Sequence, residues 1–110
     1  MKVLIKYSLV NSEEKFSKTL KGFNNNGIIK FKDGLINFEI NTNLKYLKRY
    51  DNYFEIYISF DNSYYLLKNN HKKINLPIII EEFKIYNNHI EITYQLEREL
   101  FNFKLDYEVI

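Results

Sequence analysis

The sequence predicts an all-β protein, a single antiparallel up-and-down β-barrel of eight to ten strands in one domain, residues 1–110. Three observations predict this fold class. Apolar and polar residues alternate with a period of two through most of the chain. Turn signals rich in Asn, Asp and Gly separate these segments about every 11 residues, as in small barrels and sandwiches. Alanine, the best helix former, is absent, and no segment keeps a helical period over three turns.

Each predicted strand is an alternating segment between two turn signals. The first is typical: Val3, Ile5, Tyr7 and Leu9 share one parity and Lys6 lies on the other. In chain order the predicted strands are 2–10, 16–23, 28–31, 36–40, 44–50, 53–60, 64–68, 78–86, 89–97 and 101–109. The turns between them include 11–14, 24–27, the Asp33-Gly34 hairpin signal, 51–52, 61–63, a loop at 69–73, and 87–88. Most strands have one apolar and one polar face. This pattern indicates that apolar side chains fill the interior of the barrel and polar side chains contact solvent.

Three places leave alternatives open. Residues 44–50 fit either a helical turn or a strand, and we favour a strand because seven residues make a marginal helix. Pro77 cannot donate to a strand ladder, so it marks an edge, a bulge or a strand start. In the segment 78–86 the parity breaks at Glu81-Glu82. Either Glu81 points inward or a β-bulge shifts the phase, and a bulge would bend the strand around a corner.

The residue inventory argues against catalysis. The chain has no cysteine, which excludes disulfides, thiolate metal sites and a cysteine nucleophile. Its three glycines all resemble turn residues and cannot build a phosphate cradle. His71 and His89 are isolated and are interpreted as solvated loop residues, too few for a metal site. Adjacent Glu81 and Glu82 would face opposite sides of a strand. We therefore expect no enzyme activity, no metal and no cofactor.

The N-terminus and the charge distribution suggest location and partners. No signal peptide and no apolar run of about 18 residues is found, so we expect a cytoplasmic protein without membrane attachment. Net charge is +2, but residues 1–80 carry thirteen basic and seven acidic groups, whereas residues 81–110 carry three and seven. The basic first part points weakly to an anionic partner.

Aromatic residues, 17% of the chain, suggest an alternative function. Tyr53 and Tyr57, with nearby Lys45, Lys48 and Arg49, could bind single-stranded nucleic acid by stacking and phosphate contacts on one sheet face. The competing interpretation is structural, because tyrosine packs across strands on wet sheet faces. Abundant Asn, Lys, Ile, Tyr and Phe share AT-rich codons, which also inflates the tyrosine count.

The order of segments in the C-terminal half carries a resemblance. Its most specific points are Arg49 before a turn, Phe60, Leu76-Pro77, and the closing run of Ile90, Ile92, Tyr94 and Leu96. These resemble a family of small bacterial proteins of unknown function with a lipocalin-like (calycin) β-barrel. The chain departs from the pattern in having Asp51 in place of a glycine and a shortened segment between Pro77 and Ile90. The resemblance implies the barrel and no activity.

The barrel interior is the predicted site. A barrel of about eight strands is either filled by side chains or holds one small ligand. If a cavity exists, it would be apolar, with Tyr7, Arg49 and Tyr94 as polar ligand-binding residues. We therefore predict a non-enzymatic protein that binds a small apolar ligand or acts as an interaction module. Apolar residues on the outside would instead indicate a homodimer.

Overall fold

The computed structural model describes residues 1–11 and 15–110, with only the backbone at Phe16. The described residues form eleven strands and no helix. The strands are β1 (Lys2–Val10), β2 (Lys15–Asn25), β3 (Ile28–Asp33), β4 (Ile36–Asn41), β5 (Tyr46–Tyr50), β6 (Phe54–Ser59), β7 (Tyr64–Leu67), β8 (Lys72–Asn75), β9 (Ile78–Tyr86), β10 (His89–Leu96) and β11 (Glu99–Val109). The all-β, antiparallel prediction is confirmed. The predicted turn at 11–14 falls largely on residues 12–14, outside the described part.

All eleven strands belong to one sheet, in the order β8-β7-β6-β5-β4-β3-β2-β1-β11-β10-β9. Consecutive strands pair as antiparallel neighbours except β8 and β9, and the ladder between β1 and β11 joins the two ends of the chain. The sheet curls into a half-barrel whose two edges are β8 and β9. Only Leu76 and Pro77 separate these two strands. Because that link spans at most about 10 Å, the two edges converge at this point.

The prediction of a closed barrel is wrong, and so is the count of eight to ten strands. In an antiparallel order of eleven, the two edge strands run in the same direction, so closure would need a parallel pair. Parallel neighbours need a connection of about a dozen residues, and Leu76-Pro77 is far too short. Across this seam the rings of Phe60 and Phe83 lie 6.4 Å apart, a packing contact rather than a ladder. The extra strand is β8, whose four residues are all exposed and which the sequence analysis assigned partly to a loop.

The structure decides the three alternatives that the sequence leaves open at 44–50, Pro77 and Glu81-Glu82. The segment 44–50 is a strand, β5, which begins at Tyr46 after a turn in which Lys45 has a φ of 57°. Pro77 lies between the two edge strands, where a missing N–H costs no ladder bond. A bulge is confirmed at Glu81: Thr93 pairs with Glu82 and Tyr94 with Ile80, so one residue of β9 has no partner in β10.

The concave face of the sheet holds the core. Its buried apolar side chains are Val3, Ile5, Tyr7, Ile29, Phe31, Phe38, Ile40, Leu47, Ile58, Phe83, Ile90, Ile92, Tyr94, Phe103 and Leu105. Most of them lie on the parities that the sequence analysis marked as inward. These residues come from both halves of the chain, so the fold depends on the ladder between β1 and β11.

One glycine departs from the expectation that all three are turn residues. Gly27 and Gly34 do lie in turns, with positive φ angles of 89° and 63°. Gly22 instead lies in β2, buried opposite Val3 and Phe31. A Cβ at Gly22 would come within 2.6 Å of the Lys30 carbonyl oxygen. The curl of the sheet therefore requires glycine at this position.

Candidate functional site: the interior cavity

The concave face is not completely filled. A cavity of about 250 Å³ lies between the strands of the first half of the chain and those of the closing hairpin. Its lining residues are Tyr7, Leu9, Asp33, Ile36, Phe38, Leu47, Arg49, Tyr94 and Phe103. The walls are mostly aliphatic and aromatic, with two hydroxyl groups, one carboxylate and one guanidinium. Mostly apolar walls with a few convergent polar groups are typical of small-molecule sites.

Aromatic rings make up much of the lining. Tyr7 contacts Phe31, Phe38 and Phe103, with ring centroids 5.1, 5.3 and 5.9 Å away. Phe31 and Phe38 stack almost parallel at 4.7 Å. Phe38 faces Arg49 in the ladder between β4 and β5, and the guanidinium carbon lies 5.3 Å from the Phe38 ring. This cation–π contact directs the arginine into the concave side.

Arg49 lies close enough to Asp33 for their charges to interact, but no hydrogen bond or ion pair connects its guanidinium to any described residue. Its Nε is buried without a hydrogen-bond partner. The Nε–H of this guanidinium is a hydrogen-bond donor that the stacked Phe38 ring does not satisfy. A buried donor without an acceptor is rare in folded proteins and calls for an explanation.

Asp33 already has two donors. The Tyr7 hydroxyl donates a hydrogen bond to Oδ2, and Lys18 Nζ lies 2.7 Å from Oδ1. The hydrogen bond from Lys18 holds the pKa of Asp33 below its usual value of 3.8, and the bond from Tyr7 lowers it further. Burial raises the pKa of Tyr7, and the neighbouring Asp33 raises it again. Asp33 is therefore an anion and Tyr7 a protonated donor at neutral pH.

Tyr94 completes the polar lining from the opposite side, on β10. Its side chain is 7% exposed, and its hydroxyl has no hydrogen bond to any described residue. Burial raises the pKa of Tyr94, and the positive charge of Arg49 opposes this effect. The hydroxyl thus stays neutral and can donate to or accept from a molecule in the cavity.

The three residues predicted from the sequence line the same cavity. Tyr7, Arg49 and Tyr94 come from β1, β5 and β10, which are far apart in the chain, and the curled sheet brings them together. Their role in ligand binding stays a prediction. Asp33 was missed because Asp33-Gly34 was interpreted as the turn. In the structure Asp33 is the last residue of β3 and pairs with Ile36, so the loop is Gly34-Leu35. Its parity with Ile29 and Phe31 was the available signal.

The residues of the nucleic-acid alternative do not share one face. Arg49 lies inside, whereas Tyr53 is 74% exposed in a turn. Tyr57 packs on the convex face between Tyr46 and Tyr64, at 5.2 and 5.1 Å. This face also carries acidic groups: Tyr46 donates to Glu39 at 2.5 Å and Tyr64 to Glu55 at 2.6 Å. Lys48 bridges the two carboxylates, 3.7 Å from Glu39 and 4.0 Å from Glu55.

His89 is not the solvated loop residue of the sequence analysis. It begins β10, and its Nδ1 lies 2.5 Å from Asp106 Oδ1. Its ring also packs against Tyr86 at 4.8 Å. The ladder between β10 and β11 places His89 directly opposite Asp106, which explains the contact. Among residues 1–11 and 15–110, no three histidine or acidic side chains form a group that could hold a metal ion.

The chain was compared with protein-family models, with curated proteins and with solved structures, and no match was found in any of the three. The resemblance to lipocalin-like proteins therefore stays a prediction. In the described part of the chain, no helix has the length and apolar character needed to cross a membrane.

The Asp33 contacts predict a pH effect on stability. A carboxylate whose pKa is lowered on folding stabilises the fold above its unfolded pKa, and this contribution is lost as the pH falls through the folded value. We expect Asp33→Asn to reduce the loss of unfolding free energy between pH 6 and pH 3 by on the order of 1 kcal/mol. Urea unfolding of the wild-type protein and the variant at pH 6 and at pH 3 measures this loss. Asp61→Asn, at an exposed position, is the control, and an equal reduction in both variants would contradict the assignment.

Proposed function

We propose that this protein is a non-enzymatic binding protein that takes a small, largely apolar molecule into its interior cavity. The observation that carries the proposal is the cavity of about 250 Å³ with apolar walls and a few convergent polar groups. An apolar cavity of roughly 150 Å³ holds benzene. By proportion, this one fits a molecule of about ten heavy atoms.

The arrangement of groups favours binding over catalysis. The one carboxylate in the cavity, Asp33, has a lowered pKa and two donors, whereas a general acid or base needs a pKa near the working pH. Both tyrosine hydroxyls have raised pKa values and stay protonated at neutral pH, so neither supplies a phenolate base. The cavity therefore offers hydrogen-bond donors and apolar surface, which are the means of recognition.

Filling the cavity tests this function. We expect octan-1-ol to raise the melting temperature of the wild-type protein by about 5 °C at tenfold excess over its Kd, since such binding stabilises by about 1.4 kcal/mol. Ile36→Trp places a large ring in the cavity and should abolish the shift. Leu35→Trp, at the neighbouring position that is 80% exposed, should retain it. Differential scanning calorimetry measures both.

Two outcomes would overturn the proposal: no shift in the wild-type protein, or an equal shift in Ile36→Trp and wild type. Native mass spectrometry of the purified protein adds an independent measurement. A co-purified mass that is present with Leu35→Trp and absent with Ile36→Trp would identify the natural ligand.

Single-stranded nucleic-acid binding is the second candidate. The observation that favours it is the row of stacked tyrosines on the convex face, Tyr46, Tyr57 and Tyr64. Lys73 Nζ lies 4.2 Å from the Tyr64 ring centroid and adds a positive charge. Against nucleic-acid binding, the carboxylates of Glu39 and Glu55 contact these tyrosines and would repel phosphates. Fluorescence anisotropy with a labelled oligothymidine at low salt tests this function, because counterion release favours such binding most under these conditions. Absence of binding there would eliminate it.

A further inference from the structure

We propose that the ligand of the interior cavity is a short apolar chain that ends in a single carboxylate, and that this carboxylate binds the guanidinium of Arg49. The inference rests on the proposed function and specifies the chemical class of its ligand. It follows from the charges, the unmet hydrogen-bonding capacity and the size of the cavity.

Arg49 places a positive charge at the cavity wall. This charge attracts Asp33 through space, but no described carboxylate lies within ion-pair distance of the guanidinium. Asp33 itself is paired with Lys18, with 2.7 Å between Oδ1 and Nζ. A carboxylate on the ligand would supply the ion-pair partner that Arg49 lacks, whereas a dianion would bring a second charge into a mostly apolar site.

Arg49 also has a hydrogen-bond donor without an acceptor. Its Nε is buried and has no acceptor, and one face of the guanidinium lies over the Phe38 ring. The planar fork of an arginine matches the two oxygens of a carboxylate, which can accept two parallel N–H bonds. A carboxylate in the cavity would give the buried donor its missing acceptor.

The residues around Arg49 suit a carboxylate at the end of a short apolar chain. The Tyr94 hydroxyl has no partner among the described residues and lines the same cavity, so it can donate to a bound oxygen. Leu9, Ile36 and Phe103 supply the apolar walls for a short chain. The volume of about 250 Å³ fits such a chain.

Isothermal titration calorimetry with three probes matched in heavy-atom number tests the inference: heptanoate, octan-1-ol and octylammonium. We expect wild-type protein to bind heptanoate at least about tenfold more tightly than octan-1-ol, because charge-assisted hydrogen bonds are the strong ones, and octylammonium most weakly. Arg49→Met should weaken heptanoate binding far more than octan-1-ol binding and so remove the preference for heptanoate. Arg98→Met removes an exposed arginine outside the cavity and should leave the preference intact.

The outcomes separate this inference from the proposed function. Equal binding of heptanoate and octan-1-ol by wild-type protein would overturn the carboxylate assignment and leave cavity binding standing. Binding of none of the probes would overturn both. If Arg49→Met weakens both ligands equally, Arg49 supports the shape of the cavity and does not recognise the anion. Urea unfolding of Arg49→Met shows whether the variant is folded, and Arg49→Lys, which keeps the charge but not the fork, should retain part of the preference.

Discussion

Replacing Ile92 with alanine is expected to lower the free energy of unfolding by about 2–5 kcal/mol. Ile92 is fully buried at the centre of the closing hairpin, opposite Phe103 on one side and Phe83 on the other. Alanine would remove the apolar contacts with both neighbouring strands and leave a cavity that the ladders prevent from collapsing. This loss is a large fraction of the stability of a domain of this size.

Ile79→Ala is the matched control for Ile92. It removes the same atoms from the neighbouring strand, but Ile79 is 64% exposed, so its effect should stay within about 0.5 kcal/mol. Urea unfolding monitored by circular dichroism measures both variants. A similar loss in the two would contradict the assignment of Ile92 to the core and of Ile79 to the outer side.

Replacing Gly22 with alanine is expected to lower the unfolding free energy by about 1–3 kcal/mol. The added methyl group would meet Ile5 Cδ1 at 2.5 Å and the Lys30 carbonyl oxygen at 2.6 Å. The isoleucine side chain can move, but the carbonyl belongs to the neighbouring strand. Relief therefore requires β2 and β3 to separate.

A substitution next to Gly22 controls for the strand itself. Lys21→Ala changes an exposed residue of β2 and should shift the unfolding free energy by less than about 0.5 kcal/mol. Alanine normally stabilises a chain relative to glycine through the unfolded state. A neutral or stabilising Gly22→Ala, measured by urea unfolding, would therefore show that the sheet does not curl as tightly here as the structure places it.

The inner-face position of two cavity residues could be predicted because parity decides the direction of a side chain in a strand. Tyr7 and Tyr94 alternate with polar neighbours, and this alone places them on the inner face. The inward direction of Asp33 was not predicted because the turn was placed one residue too early in the chain. Such a shift moves a side chain to the other face of the sheet. The pairing of Asp33 with Ile36 in the ladder between β3 and β4 places the turn at Gly34-Leu35.

Local pattern was less informative at the sheet edges. The broken parity at Glu81-Glu82 left a bulge as one of two alternatives, and the ladder between β9 and β10 decides for the bulge. β8 was missed because Lys72–Asn75 are exposed and show no alternation. A short edge strand such as β8 is stabilised by backbone hydrogen bonds to its neighbour. Its own amino-acid composition gives little sign of these bonds.

The sequence by itself determined the all-β class, the antiparallel order of most strands and the inward direction of Tyr7 and Tyr94. These are local properties, set by period-two patterning and turn chemistry over a few residues. Only the tertiary structure decided that the sheet stays open at Leu76-Pro77, that Gly22 permits its curl, and that Arg49 faces an unfilled interior without an acceptor. Closure of the sheet and packing of its interior depend on contacts between strands that are distant in the chain. The free energy of these contacts cannot be derived from the pattern of any one segment.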